Sequence, residues 1–114
     1  MDKIGTSFAI EILDPAQNEL EDIALLYLML SGTESAEKIT DKILNAIERL
    51  ALFPLSGPYL PDTDLRDLGY HFLVVERYII IYRLIQKTVL IYHIFDGRTD
   101  YKKLFRDELN TRTG

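Results

Sequence analysis

Few side chains in this sequence are equipped for chemistry, and they gather in its second half. His71 stands at the start of an apolar segment and carries an imidazole, the group whose ordinary titration range suits proton transfer near neutrality. A hydrogen-bonded strand residue is the plainer reading of it. His93, the other histidine, shares its side of a predicted strand with Val89, Ile91 and Phe95 and reads as structural. Arg98 lies in Asp96-Gly97-Arg98-Thr99-Asp100, where either aspartate can hold its guanidinium in a turn. Arg83 is expected to pair with Glu76 or another carboxylate, and Tyr78 and Tyr82 to pack. With no cysteine, disulfide and thiolate chemistry are excluded. The two histidines lie far apart in sequence and Asp96 with Asp100 makes no complete ligand set, so neither a metal nor a cofactor is expected. No glycine-rich phosphate loop and no Ser/His/Asp pattern occurs.

The elements that must position these residues follow from hydrophobic pattern. Tyr70–Val75, Tyr78–Ile85 and Thr88–Phe95 are rich in Ile, Val, Leu, Tyr and Phe and are separated only by Glu76-Arg77 and Gln86-Lys87. That is a three-stranded antiparallel meander with very tight hairpins. In its middle strand Tyr78, Ile80, Tyr82 and Leu84 share one face, and Ile79, Ile81, Arg83 and Ile85 the other. Both faces are largely apolar, so the meander needs cover.

Upstream segments supply that cover. Ser7–Leu13 alternates as a half-buried strand and is expected to join the meander. Asp14 is expected to cap a helix running to about Leu30, with Pro15 in its first turn, Gln17 at the capping-box position, and an apolar stripe of Ala16, Leu20, Ile23, Tyr27 and Leu30. Its second half is apolar nearly all round, which leaves Leu25, Leu26 or Met29 for solvent or a partner. Thr33 is the expected cap of a second helix with Ala36, Ile39, Ile43, Ile47 and Leu50 on one face. The short link between them predicts an antiparallel helical hairpin on one face of the sheet. Residues 53–64, with three prolines and a glycine, read as a long loop or flap, and residues 102–110 as a short helix before four fraying residues.

Charge and length set bounds. The 114 residues suit one domain with a modest core. Residues 1–65 hold 4 Lys/Arg against 12 Asp/Glu, a balance of −8, whereas residues 66–114 hold 9 against 6, a balance of +3. A mildly basic face on an acidic body follows, and an acidic chain is disadvantaged in binding nucleic acid. No apolar run approaches the ~20 residues of a membrane span, and no basic segment followed by an apolar core opens the chain. A cytoplasmic location without membrane attachment is expected.

The order β-α-α-loop-β-β-β converges with particular residues: Leu50-Ala51-Leu52-Phe53-Pro54, Gly57, Arg66-Asp67-Leu68-Gly69, Tyr78-Ile79-Ile80-Ile81-Tyr82-Arg83, and Val89 through Asp100 with its Gly97-Arg98-Thr99-Asp100 ending. Together these resemble the RelE/ParE toxins of bacterial type II toxin–antitoxin (plasmid stabilisation) systems over almost the whole chain. The resemblance implies an α+β fold, a helical hairpin packed on a twisted antiparallel sheet with a short C-terminal helix. It also implies growth inhibition relieved by a cognate antitoxin protein, with a homodimer or a toxin–antitoxin hetero-oligomer as the assembly. RelE-like members cut mRNA on the ribosome and ParE-like members inhibit DNA gyrase. If the chain is RelE-like, the resemblance implies His71, Arg77, Arg98 and Tyr101 as its catalytic set. Ile79 and Asp96, however, stand where RelE-like nucleases usually carry an arginine and many members a histidine. The sequence therefore favours gyrase inhibition, with the mRNA endonuclease as the alternative and an inactive relative that only binds protein as a second.

Overall fold

A computed structural model describes residues 7–113; residues 1–6, part of the stretch that bears on a secretion signal, lie outside them, as does Gly114. The chain runs β1 (Ala9–Ile12), α1 (Asp14–Ser31), α2 (Thr33–Glu48), a 3-10 turn (Arg49–Ala51), α3 (Thr63–Asp67), β2 (His71–Val75), β3 (Tyr78–Ile85), β4 (Thr88–Asp96) and α4 (Tyr101–Thr113). The helix predicted over 102–110 thus continues to Thr113.

The four strands form one sheet in the order β1-β4-β3-β2. β2, β3 and β4 are the expected antiparallel meander. β1 joins it beside β4 but runs parallel, Ala9 opposite Thr88 and Ile12 opposite Ile91, so the sheet is mixed rather than wholly antiparallel. Parallel neighbours need a long crossover, and everything from α1 to β3 provides it. The two hairpins turn on Glu76 and Gln86, each at φ 56°, a left-handed conformation taken here without glycine.

Each face of the sheet carries its own core. On one side Ala16, Leu20 and Ile23 of α1 and Ile39, Ile43 and Ile47 of α2 pack against Tyr78, Ile80, Tyr82, Val89, Ile91 and Ile94. On the other, Leu60, Leu65, Tyr70, Ile81 and Phe105 form a second cluster under α4. The apolar stripe of α1 runs out early: Leu30 is 73% exposed, together with Leu25, Leu26 and Met29.

The helix starts differ from expectation. Leu13, not Asp14, occupies the N-cap position of α1, and no side chain caps it; Asp14 is the first helical residue. Gln17 reaches forward to Glu21 instead of back to the cap. Gly32, not Thr33, is the cap residue of α2. A single residue separates the two helices, and its φ of 96° suits glycine because a Cβ is disfavoured there. Its N–H bonds to Leu28 and its carbonyl receives the N–H of Ala36, so one residue ends one helix and begins the next.

Residues 53–64 form a connection fastened to the sheet and to α4, and their last two residues begin α3. Gly57 is pressed so close to β2 that an added Cβ would lie 2.3 Å from the carbonyl oxygen of Phe72 and 2.9 Å from the Tyr82 hydroxyl. The Gly57 N–H donates to that hydroxyl at 3.0 Å. Asp62 then caps α3 by accepting from the Leu65 N–H at 3.1 Å, and its other oxygen accepts from Arg106 of α4. Gly57→Ala should lower unfolding free energy by about 3 kcal/mol through forced overpacking, and Tyr82→Phe by about 1–3 kcal/mol by orphaning a buried N–H. Urea titrations of the variants check both.

Candidate functional site

Arg77 and Arg98 meet at the end of the β2–β3 hairpin because Tyr78, which follows Arg77, pairs across the sheet with Asp96. Asp96 grips Arg98 with both oxygens, at 3.2 Å from Nε and 3.0 Å from a terminal nitrogen, and also accepts the Arg98 backbone N–H at 2.9 Å. Arg77 Nε lies 3.3 Å from the same carboxylate. Gly97 makes the turn possible: its N–H donates to the Arg77 carbonyl at 2.7 Å, where a Cβ would come within 3.1 Å of that oxygen. The side-chain and backbone hydrogen bonds of Arg98, in that order, outweigh slight burial and hold Asp96 down at about 2.

Two cations thus share one anion. Arg98 remains 73% exposed at the side chain, so this corner presents a net positive, planar group suited to a carboxylate or phosphate. Tyr101 opens α4 nearby and packs toward Phe95, ring centroids 6.2 Å apart. Burial pushes its phenol above the usual tyrosine value, which keeps it protonated.

The fourth nominated residue is elsewhere. His71 lies six residues before Arg77 along β2, roughly 20 Å away in extended chain. It is buried, its ring sandwiched between Tyr59 at 4.2 Å and Tyr82 at 5.3 Å. Its Nδ1 lies 2.8 Å from the Gly57 carbonyl, an acceptor only, so Nδ1 carries the proton. The geometry brings Arg77, Arg98 and Tyr101 to one end of the sheet and leaves His71 at the other.

Two further side chains depart from their predicted environments. Among the described residues Arg83 pairs with no carboxylate. It donates to the Tyr92 hydroxyl at 2.8 Å and the Leu68 carbonyl at 3.1 Å and lies over the rings of Tyr70 and Tyr92. Glu76 instead takes Lys42 at 2.6 Å, because Glu76 sits at the hairpin tip facing α2. His93 does not share the Val89/Ile91 side of β4. A bulge at Tyr92, where Ile81 pairs with His93 but Tyr82 with Ile91, turns it toward Phe95 and Phe105. There it touches Glu19 and Glu108, two carboxylates that no local pattern in the sequence connects to it.

Among the described residues no group of three or more His, Cys, Asp or Glu is arranged to hold a metal ion. None of the described helices is long and apolar enough to cross a membrane.

Comparison with known proteins bears on this arrangement. No curated protein sequence matches the chain. A solved structure entitled "Chromosomal ParDE TA system from P. aeruginosa" is similar in fold, with a TM-score of 0.65 at 21% identity over 80% of this chain and 97% of that one. The family described as "ParE toxin of type II toxin-antitoxin system, parDE" matches residues 10–101, from β1 through the start of α4, and so takes in the helical hairpin, the whole sheet and the Arg77/Asp96/Arg98 corner. The chain belongs to the ParE toxin family of type II toxin–antitoxin systems.

Proposed function

We propose that this ParE-type toxin arrests growth by inhibiting DNA gyrase in the cytoplasm, with the corner formed by Arg77, Asp96 and Arg98 as its functional site. The observation that carries this reading is the separation of His71 from the exposed arginines. Cleavage of RNA needs a base within hydrogen-bond reach of the attacking 2′-hydroxyl, beside the cations that stabilise the phosphate. The carboxylate that holds Arg98 is already committed to two guanidinium groups, and burial keeps the phenols of Tyr78 and Tyr101 protonated. Such a corner is better suited to gripping an acidic protein surface than to breaking a phosphodiester.

The cognate antitoxin is proposed to cover the apolar end of the helical hairpin. Leu25 and Leu28 of α1 line a groove of about 460 Å³ whose α2 wall carries Glu37 and Asp41, and Met29 beside it is 76% exposed. An apolar stretch flanked by Lys or Arg, ordering as it binds, complements both features.

Expression from a tightly controlled promoter, with plasmid supercoiling assayed and mRNA 5′ ends mapped as growth slows, tests the target. Lost supercoiling with intact mRNA is expected; cleavage at codon-defined positions would overturn the gyrase reading in favour of the endonuclease. Arg98→Ala should abolish growth arrest, and Asp96→Asn should weaken it by freeing the guanidinium. Undiminished toxicity of Arg98→Ala would remove that arginine from the site.

A further inference from the structure

His93 is enclosed by two acceptors from different helices. Its ring, only 9% exposed, stacks on Phe95 at 4.5 Å and meets Phe105 of α4 edge-on at 5.0 Å. Nδ1 lies 3.0 Å from Glu19 of α1, and Nε2 lies 2.6 Å from Glu108 of α4. An ionised carboxylate only accepts, so each ring nitrogen must donate, and a neutral imidazole has one N–H to give. Both bonds coexist only while His93 is an imidazolium.

The two carboxylates ride on helices that are buried to different extents. Glu19 also receives the Ile94 N–H at 2.7 Å, closing the edge of β4 just beyond the point where β1 ends at Ile12. Its helix contributes Ala16, Leu20 and Ile23 to the larger core. Glu108 rides on α4, whose fully buried side chain among the described residues is Phe105, with Tyr101 and Leu109 partly buried and Arg106 paired to Asp62. When the ring loses a proton, one nitrogen turns a lone pair toward a carboxylate, and the lightly held helix is the one able to move away.

We propose that His93 is a pH-operated latch: protonated, it clamps α4 onto the sheet, and deprotonated, it lets α4 lift and uncover the apolar face formed by Tyr70, Ile81, Tyr92 and Phe95. The groups facing the ring are Glu19 from α1 and Glu108 from α4; Glu11 of β1 and Asp14 at the start of α1 line the same cleft of about 340 Å³, and no Lys or Arg lines it among the described residues. Burial is the largest influence on the ring and opposes its charge. The bonds and charges of Glu19 and then Glu108 outweigh it, so His93 titrates above the ordinary histidine value. A native pKa raised in this way stabilises the docked state fully below about pH 6.5, the unfolded value. That stabilisation is lost as pH rises through the native one.

Hydrogen exchange of the full chain, read at α4 and β3 amides at about pH 6 and about pH 9 and corrected for intrinsic rates, tests the latch across the ordinary histidine range. In the native protein α4 should lose about tenfold or more in protection at the higher pH, the scale of one charge-assisted bond, with β3 unchanged. Glu108→Gln, whose amide can accept from or donate to the ring, should keep α4 docked and flatten its pH response. ¹⁵N signals of His93 should report both nitrogens protonated at the lower pH. The proposal fails if α4 protection is flat in the native protein, if it falls together with β3, if Glu108→Gln retains the full response, or if the ring is neutral at the lower pH.

Discussion

β3 carries Tyr78, Ile80 and Tyr82 toward one side of the sheet and Ile79 and Ile81 toward the other, and it pairs with β2 and β4 along both edges. A central strand that is apolar on both faces cannot be left half covered, since each fully buried Ile or Leu is worth about 1.5–3 kcal/mol. The remainder of the chain meets that demand from two directions. The helical hairpin, inserted between β1 and β2, closes one face, and the α3 segment with α4 closes the other. The parallel placement of β1 follows from the same requirement, because the crossover that separates it from β4 is the covering layer itself.

The two covers differ in strength, and the polar interactions follow that difference. α1 and α2 bring six of their residues fully into the larger core. Among the described residues α4 brings Phe105 fully and Tyr101 and Leu109 partly into the smaller core, and charged contacts join it to the rest: Arg106 to Asp62, and Glu108 to His93. Exposed ion pairs such as Lys42 with Glu76 or Lys103 with Asp107 contribute little. The His93 contacts are largely shielded from water and hydrogen-bonded on both ring nitrogens, so their loss is felt. Asp96 does comparable work three residues further along the same strand, orienting two arginines at the surface rather than joining two helices.

The meander was legible because it depends on local signals: period-two alternation and two-residue interruptions that persist whatever surrounds them. The helical hairpin was legible for the same reason, from spacing along α2 and the break at Gly32. Arg98 was readable as a turn residue, since its partner Asp96 is two positions away. The direction of β1, the helix caps and the end of the α1 stripe were not, because each depends on where a distant segment finally packs.

The histidines show where sequence stopped and tertiary structure decided. The residue types of His71 and His93 permit proton chemistry, but their protonation and accessibility depend on neighbours at long range. Gly57 and two tyrosines enclose His71, at the opposite end of β2 from Arg77. One extra residue at Tyr92 turns His93 between carboxylates 74 and 15 positions away. The sequence by itself determined which segments would be strands and helices and that both sheet faces needed cover, because apolar periodicity is a local property. Only the folded chain decided which charges meet, because a bulge and a crossover place side chains by register, and register is set by the whole sheet.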